Sequence, residues 1–280
     1  MERRKVGVVS ALYRYPVKSM LGEKLDELPL TPNGAIGDRA WALREASGGI
    51  TTAKKWPNML GFRAGYDSAP APGALAPVTI VFPDGTRIHA ADPDASERLS
   101  ATLGRPVRLV TAQPDEHARG EIDPNTIFAD VPVEQIFPGL TRQTLPGTFA
   151  LMRGAFFDSA AVHVLASGSV MHMKRLCGPN SVLDPRRFRP NIFVDTGGDS
   201  GGFVEDEWLD GVLEVGAEVK ITAMQPALRC VMTTHAQSEL PRDLAILRTA
   251  AQHHKAKLGV FASIGAPGTV RVGDAVVLAK

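Results

Sequence analysis

Val212–Gln225, VLEVGAEVKITAMQ, reads as strand, and with the strand segments on either side it decides the fold class. Val219, Ile221 and Ala223 alternate with Lys220 and Thr222, the two-residue period of a strand with one buried face. On its N-terminal side RPNIFVD (189–195) is a further strand, and on its C-terminal side RCVMTT (229–234) is expected to be another. Farther out, KVGVVSALY (5–13) and AWALR (40–44) are strands, with PNGAIGDR (32–39) as loop. VTIVF (78–82), PDG and TRIH (86–89) form a hairpin signal, because Asp-Gly suits a tight turn. GTVRVGDAVVLAK (268–280) is expected to be a closing hairpin.

Helices are few. Residues 93–103 carry Leu99 and Leu103 four apart and stop at Gly104. A second helix is predicted over about 167–177, with Ser167 or Ser169 as N-cap. A third is predicted over 240–252, where Leu240, Leu244, Leu247 and Ala251 recur at helical spacing and basic residues follow. Residues 113–149, rich in proline and polar side chains, are an irregular connection of the kind that borders functional openings. The sum is a mainly β chain with a few helices, in the α+β class.

The 280 residues are 44% hydrophobic, enough for one large core or two smaller ones. Lysine plus arginine (31) balance aspartate plus glutamate (30), which argues against recognition of nucleic acid or an acidic membrane by a broad field. Any anion site must be local. With only Cys177 and Cys230, neither a disulfide framework nor a cysteine-rich zinc or iron–sulfur module can be built. The N-terminus, MERRKVGVVSALYRY, turns polar too early for a signal peptide, and no run nears the ~20 apolar residues that span a bilayer. A cytoplasmic protein is expected.

Two motifs are set aside on chemical grounds. GDSGG (198–202) surrounds the nucleophile of chymotrypsin-like proteases, but the histidine setting and disulfides of those enzymes are missing and Phe203 follows where they have proline. The seven histidines show no H-E-x-x-H and no zinc spacing, so they read as surface or satisfied core residues. Three basic turns matter more. Pro16-Val17-Lys18-Ser19 ends a strand, Gly37-Asp38-Arg39 begins one, and Phe188-Arg189-Pro190-Asn191 enters a third. Together they offer forked guanidinium donors for phosphate and amide groups for the edge of a heterocycle. Arg229-Cys230 adds a cysteine beside an arginine, which favours the thiolate that acts as nucleophile or metal ligand. Strand alternation would point these two side chains to opposite faces, leaving Arg229 to hold phosphate rather than touch the sulfur.

YPVKSMLGEKLDELPLTPNGAIGDRAWAL (15–43), with its PVKS and G-x-x-x-D-R, resembles the N-terminal β-barrel module of MOSC proteins. RFRPNI, FVEDEWLDGVLEVGAEVKI, RCVMTT and VRVGDAVVL resemble, in order, the MOSC domain, the molybdenum cofactor sulfurase C-terminal homology also found in the mitochondrial amidoxime-reducing component. The blocks cover most of the chain outside 113–149. The resemblance implies an N-terminal MOSC β-barrel over 1–112, a connecting segment over 113–150 and a MOSC domain over 151–280. It also implies a molybdenum cofactor (Mo-molybdopterin) whose metal takes the Cys230 sulfur, with Lys18, Ser19, Arg39, Arg189, Asn191 and Arg229 binding the cofactor. Soft thiolate ligation suits such a metal.

The activity so implied is that of a molybdenum-dependent oxidoreductase, independent of pyridoxal phosphate, removing oxygen from an N-hydroxylated small molecule. Electrons would come from a separate ferredoxin- or flavin-type protein. His235 is the titratable group nearest Cys230 in sequence and is weighed as a general acid. Two departures from the relatives concern substrate: Leu228 stands where they have serine, and His235-Ala236-Gln237 where they continue with aspartate. No fused ferredoxin cysteines are present. The alternatives are a sulfurtransferase carrying a persulfide on Cys230, and a non-catalytic carrier of the cofactor.

Overall fold

Strands whose apolar residues alternate must find partners for both edges, and here a sheet does so by closing on itself. The structure, a computed structural model, describes residues 2–280. Seven strands form the barrel, in the order Arg3–Arg14, Ile192–Asp195, Val162–Ala166, Lys257–Ala266, Val219–Leu228, Val212–Val215, Ala275–Ala279 and back to Arg3–Arg14. All pairs are antiparallel except Val162–Ala166 with Ile192–Asp195. A parallel pair needs a crossover, and the helix Ser167–Cys177 supplies it. Leu12, Val164, Ile192, Leu213, Ile221 and Ala262 fill the interior, with Trp208 among them.

The first strand of the chain is therefore the piece that closes the C-terminal barrel, and Glu27–Thr31 also pairs with Gly268–Arg271. The sheets do not follow a linear cut at residue 112. Val17 and the residues from Trp41 to Thr111 form a second body, with short sheets Arg63–Tyr66, Val78–Val81, Arg87–His89 and Trp41–Glu45, Val107–Thr111. Helix Ala95–Leu103 packs on it through Leu99 and Leu103 and ends at Gly104 in the left-handed conformation (φ 70°), as its sequence predicts.

Several elements differ from the sequence reading. RCVMTT is not a strand: the strand ends at Leu228, and Val231–Thr234 is one turn of 3-10 helix. The third helix runs Ala245–His254 rather than from 240, because the Asp243 side chain accepts from Ala245 N–H and starts it there. Neither serine caps the helix at 167–177; Ala166 occupies that position, and the buried Ser169 hydroxyl donates to Glu205 instead. The closing segment is not a hairpin, since its two strands pair with different partners. The 113–149 stretch holds a small ladder, Arg119–Glu121 with Thr148–Ala150, and a helical turn, Val133–Ile136. It packs Ile127, Phe128 and Val131 against Leu247 and the flank of Cys230. GDSGG is a surface loop whose Asp199 faces Arg175 at 3.1 Å.

Candidate functional site

The strand Val219–Leu228 leaves its register with Lys257–Ala266 between Pro226 and Leu228, and such irregularities re-aim the chain that follows. Arg229 N–H then bonds to the Ala256 carbonyl (2.6 Å) and Val231 N–H to that of Ile127 (2.7 Å), fixing Cys230 between the barrel and the connecting segment. Once the strand has ended, alternation no longer separates neighbours. Arg229 and Cys230 line one cavity, and the expectation of opposite faces is corrected.

The same cavity is lined by Lys18, Ser19, Arg39 and Arg189, four residues drawn from turns distant in sequence. Lys18 N–H bonds to Trp41 O (2.8 Å), Arg39 N–H to Tyr15 O (2.8 Å) and Phe156 N–H to Arg39 O (2.9 Å), so the first two turns lock to each other. The Arg189 guanidinium donates to Met20 O (2.7 Å), which ties the third turn to the first. Tyr15 lies between two guanidiniums, 4.5 Å from Arg39 and 4.1 Å from Arg189. Ser19, Arg39 and Arg189 all have positive φ (67°, 48° and 55°), a conformation that costs non-glycine residues ~1–3 kcal/mol each and that clusters at ligand sites. Asn191 is not in the lining. It is a strut behind it, its Oδ1 accepting from His163 N–H (3.1 Å) and Arg39 (3.4 Å).

Sequence reasoning missed Lys54, Asp158, His163 and Phe261, which line the cavity too. Lys18 and Lys54 both pair with the Asp158 carboxylate, Lys54 at 2.7 Å. No motif marks them, since each is isolated in sequence. His163, read as a satisfied core residue, is buried with one ring nitrogen 3.3 Å from Arg189 O and the other 3.4 Å from the Arg229 guanidinium. Arginine can only donate, so Nε2 accepts and Nδ1 carries the proton. Burial and Arg229 hold this imidazole neutral, well below its usual titration range.

Charge in the cavity is out of balance. Lys18, Lys54, Arg39, Arg187, Arg189 and Arg229 line it with one carboxylate among the described residues, Asp158, while Asp38 pairs with Arg39 from outside the lining. Burial pushes Arg189 and Arg229 down to about 10, and Arg39 adds to the effect on Arg189. Arg189 Nη2 is buried without a hydrogen-bond partner. An unsatisfied buried charged donor is costly, and a site with surplus cations is completed by an anion. The cavity, partly open, has a volume of about 100 Å³. That leaves room for an anionic end group of phosphate size. A far larger cleft of about 1340 Å³ adjoins it, sharing Lys54 and reaching Val231 and His235. His235 is pushed down to about 4 by burial and then by Arg242, so it is neutral near pH 7 and the weighed role of cationic acid does not fit it. Among the described residues no three His, Cys, Asp or Glu side chains gather to hold a metal by themselves. No helix is long and apolar enough to cross a membrane.

Residues 6–102 match the MOSC N-terminal beta barrel domain, and residues 152–277 match the MOSC domain. The chain belongs to the MOSC family. Mitochondrial amidoxime-reducing component 1 of Mus musculus is 25% identical to this MOSC protein, over 98% of this chain and 83% of that one. Molybdenum cofactor sulfurase of Oryza sativa subsp. japonica is 24% identical, over 78% of this chain and 27% of that one. Among solved structures, the YUAD protein from Bacillus subtilis aligns over 99% of this chain and 97% of its own with 12% identity and a TM-score of 0.48. The cavity of this MOSC protein lies where the two matched regions meet, Lys18, Ser19, Arg39 and Lys54 coming from the first and the other lining residues named above from the second.

Proposed function

We propose that this protein binds a molybdenum cofactor, with Cys230 as the protein's thiolate ligand, and reduces N-hydroxylated small molecules in the cytoplasm with electrons from a separate ferredoxin- or flavin-type protein. The observation that carries the reading is the unpartnered Arg189 Nη2 in a cation-rich cavity that also holds Cys230. The residues fit the charged end and the sulfur ligand of such a group. Lys18, Ser19, Arg39, Arg189 and Arg229 would hold its phosphate by charge-assisted hydrogen bonds. When bound, the cofactor supplies the redox chemistry that removes oxygen from the substrate.

The chain's own residues have simpler tasks. Neutral His163 braces Arg229 and the Arg189 carbonyl, and Asn191 braces Arg39, so the cations meet the ligand already oriented. Phe157 and Phe261 wall the cavity and keep its dielectric low, which strengthens each of these contacts.

Protein purified from a host that makes molybdenum cofactor is expected to carry near-stoichiometric molybdenum and pterin, and the Cys230→Ala variant to lose the metal. Loaded wild type is expected to reduce benzamidoxime with an artificial reductant. If wild type and variant are equally metal-free and labelled sulfur is found on Cys230, the sulfurtransferase reading replaces this one. Metal-loaded protein inactive on benzamidoxime would leave a carrier.

A further inference from the structure

The large cleft beside Cys230 has its own charge pattern. Its accessible apolar walls come from the second body (Val81, Pro83), from the connecting segment (Ala129) and from the segment after Cys230 (Ala236, Leu244). Five cationic side chains also line it. Lys54 is matched by Asp158 at 2.7 Å and Lys55 by Glu121 at 2.6 Å. The other three make no ion pair among the described residues, although Asp130 acts on Arg142 at a distance. Arg63 donates to the Gly22 carbonyl, Arg142 donates to the carbonyls of Asn125 and Ala129, and Arg242 has no ion pair among the described residues.

On the acidic side, Asp130 pairs with Arg248. Asp123 is occupied by its own loop, accepting from Asn125 N–H and the Thr126 hydroxyl. Arg63 and Arg242, which no ion pair answers, thus face one loop aspartate across the cleft, while Arg142 is partly answered by Asp130. His235 lies in the same wall with Nε2 buried and unpartnered, and Arg242 is close enough to help keep that ring neutral.

From this pattern we infer that the cleft binds an amphipathic anion: a small molecule with an apolar body against Val81, Pro83 and Leu244 and an acid group held by Arg242 or Arg63. Bodies of this kind gain from apolar burial, and a guanidinium beside the apolar wall gives the acid group direction. A neutral N-hydroxylated compound alone would leave the charges of Arg63 and Arg242 unused. That the ligand is the substrate rests on the function proposed above; that it binds does not.

The test is direct titration by calorimetry with a matched pair, 4-hexylbenzoate and 4-hexylbenzamide, using the full chain both free of cofactor and loaded. The acid is expected to bind at least tenfold tighter than the amide in both preparations. Arg242→Glu, an exposed position with no hydrogen bond to lose, is expected to weaken the acid about tenfold and leave the amide within twofold. Arg63→Gln gives a second, milder reading of the same effect.

Equal affinity for acid and amide overturns the inference, as does an acid preference that survives in both variants. Binding of the acid only by cofactor-free protein also overturns it, because the arginines would then serve the cofactor. Loss of the molybdenum reading, by contrast, leaves the titration of cofactor-free protein untouched.

Discussion

Lys18 is buried among cations, and the removal of water, with Lys54 and Arg39, brings its ammonium down to about 8 against the pull of Asp158. For Asp158 burial favours the neutral form, but Lys18 and Lys54 overrule it and hold the carboxyl far below its usual range. Burial leads the shift of Lys18, and the two lysines carry that of Asp158. An anion in the cavity favours protonated Lys18, so its affinity is tied to that proton. The free protein keeps the proton below about pH 8 and loses it above. Pyrophosphate affinity is therefore expected to be level below about pH 8 and to fall as pH rises past it, by up to about tenfold per unit. Calorimetry at neutral and at mildly alkaline pH checks this, and a flat profile would contradict it. Lys18→Met is expected to remove the pH dependence together with most of the affinity. Lys18, Arg39, Arg189 and Cys230 were legible as residues because each sits in a short motif. His163 and Lys54 were not, since a lone histidine or lysine has no meaning until its neighbours are known.

At the scale of elements, the site depends on where strands stop. The irregular pairing near Pro226 and the end of the strand at Leu228 turn Arg229 and Cys230 to one side. Sequence periodicity reports the strand but not its last residue, because Val231 and Met232 suit a strand as well as a 3-10 turn. On the facing strand, Gly259 (φ 80°) lies so close to His163 that an added Cβ would stand 2.4 Å from Nε2. The Gly259→Ala substitution must strain the backbone and push the imidazole that braces Arg229. It is expected to cost about 1–3 kcal/mol, read as a shifted urea midpoint, and to weaken pyrophosphate binding in the protein that remains folded. A change of stability with unaltered binding would argue that His163 is not a brace.

At the scale of the whole molecule, closure of the barrel by Arg3–Arg14 makes the C-terminal region dependent on the N-terminus. Without that strand both Ile192–Asp195 and Ala275–Ala279 would present open edges, and Val9 and Leu12 would leave the core. A fragment of residues 151–280 is expected to aggregate or to unfold without cooperativity, and a soluble fragment with a sharp thermal transition would refute this. The fold class, most strands, the extents of two helices and the basic turns with Cys230 followed from the sequence, because they rest on local period, turn chemistry and short motifs. The closure of the barrel by its first strand, the splitting of the final two strands between sheets, and the meeting of six cations with one cysteine were decided only in three dimensions. Those features depend on contacts between residues up to 278 positions apart, as in Glu2 N–H to Lys280 O, and local propensity carries no information about which distant edge a strand will choose.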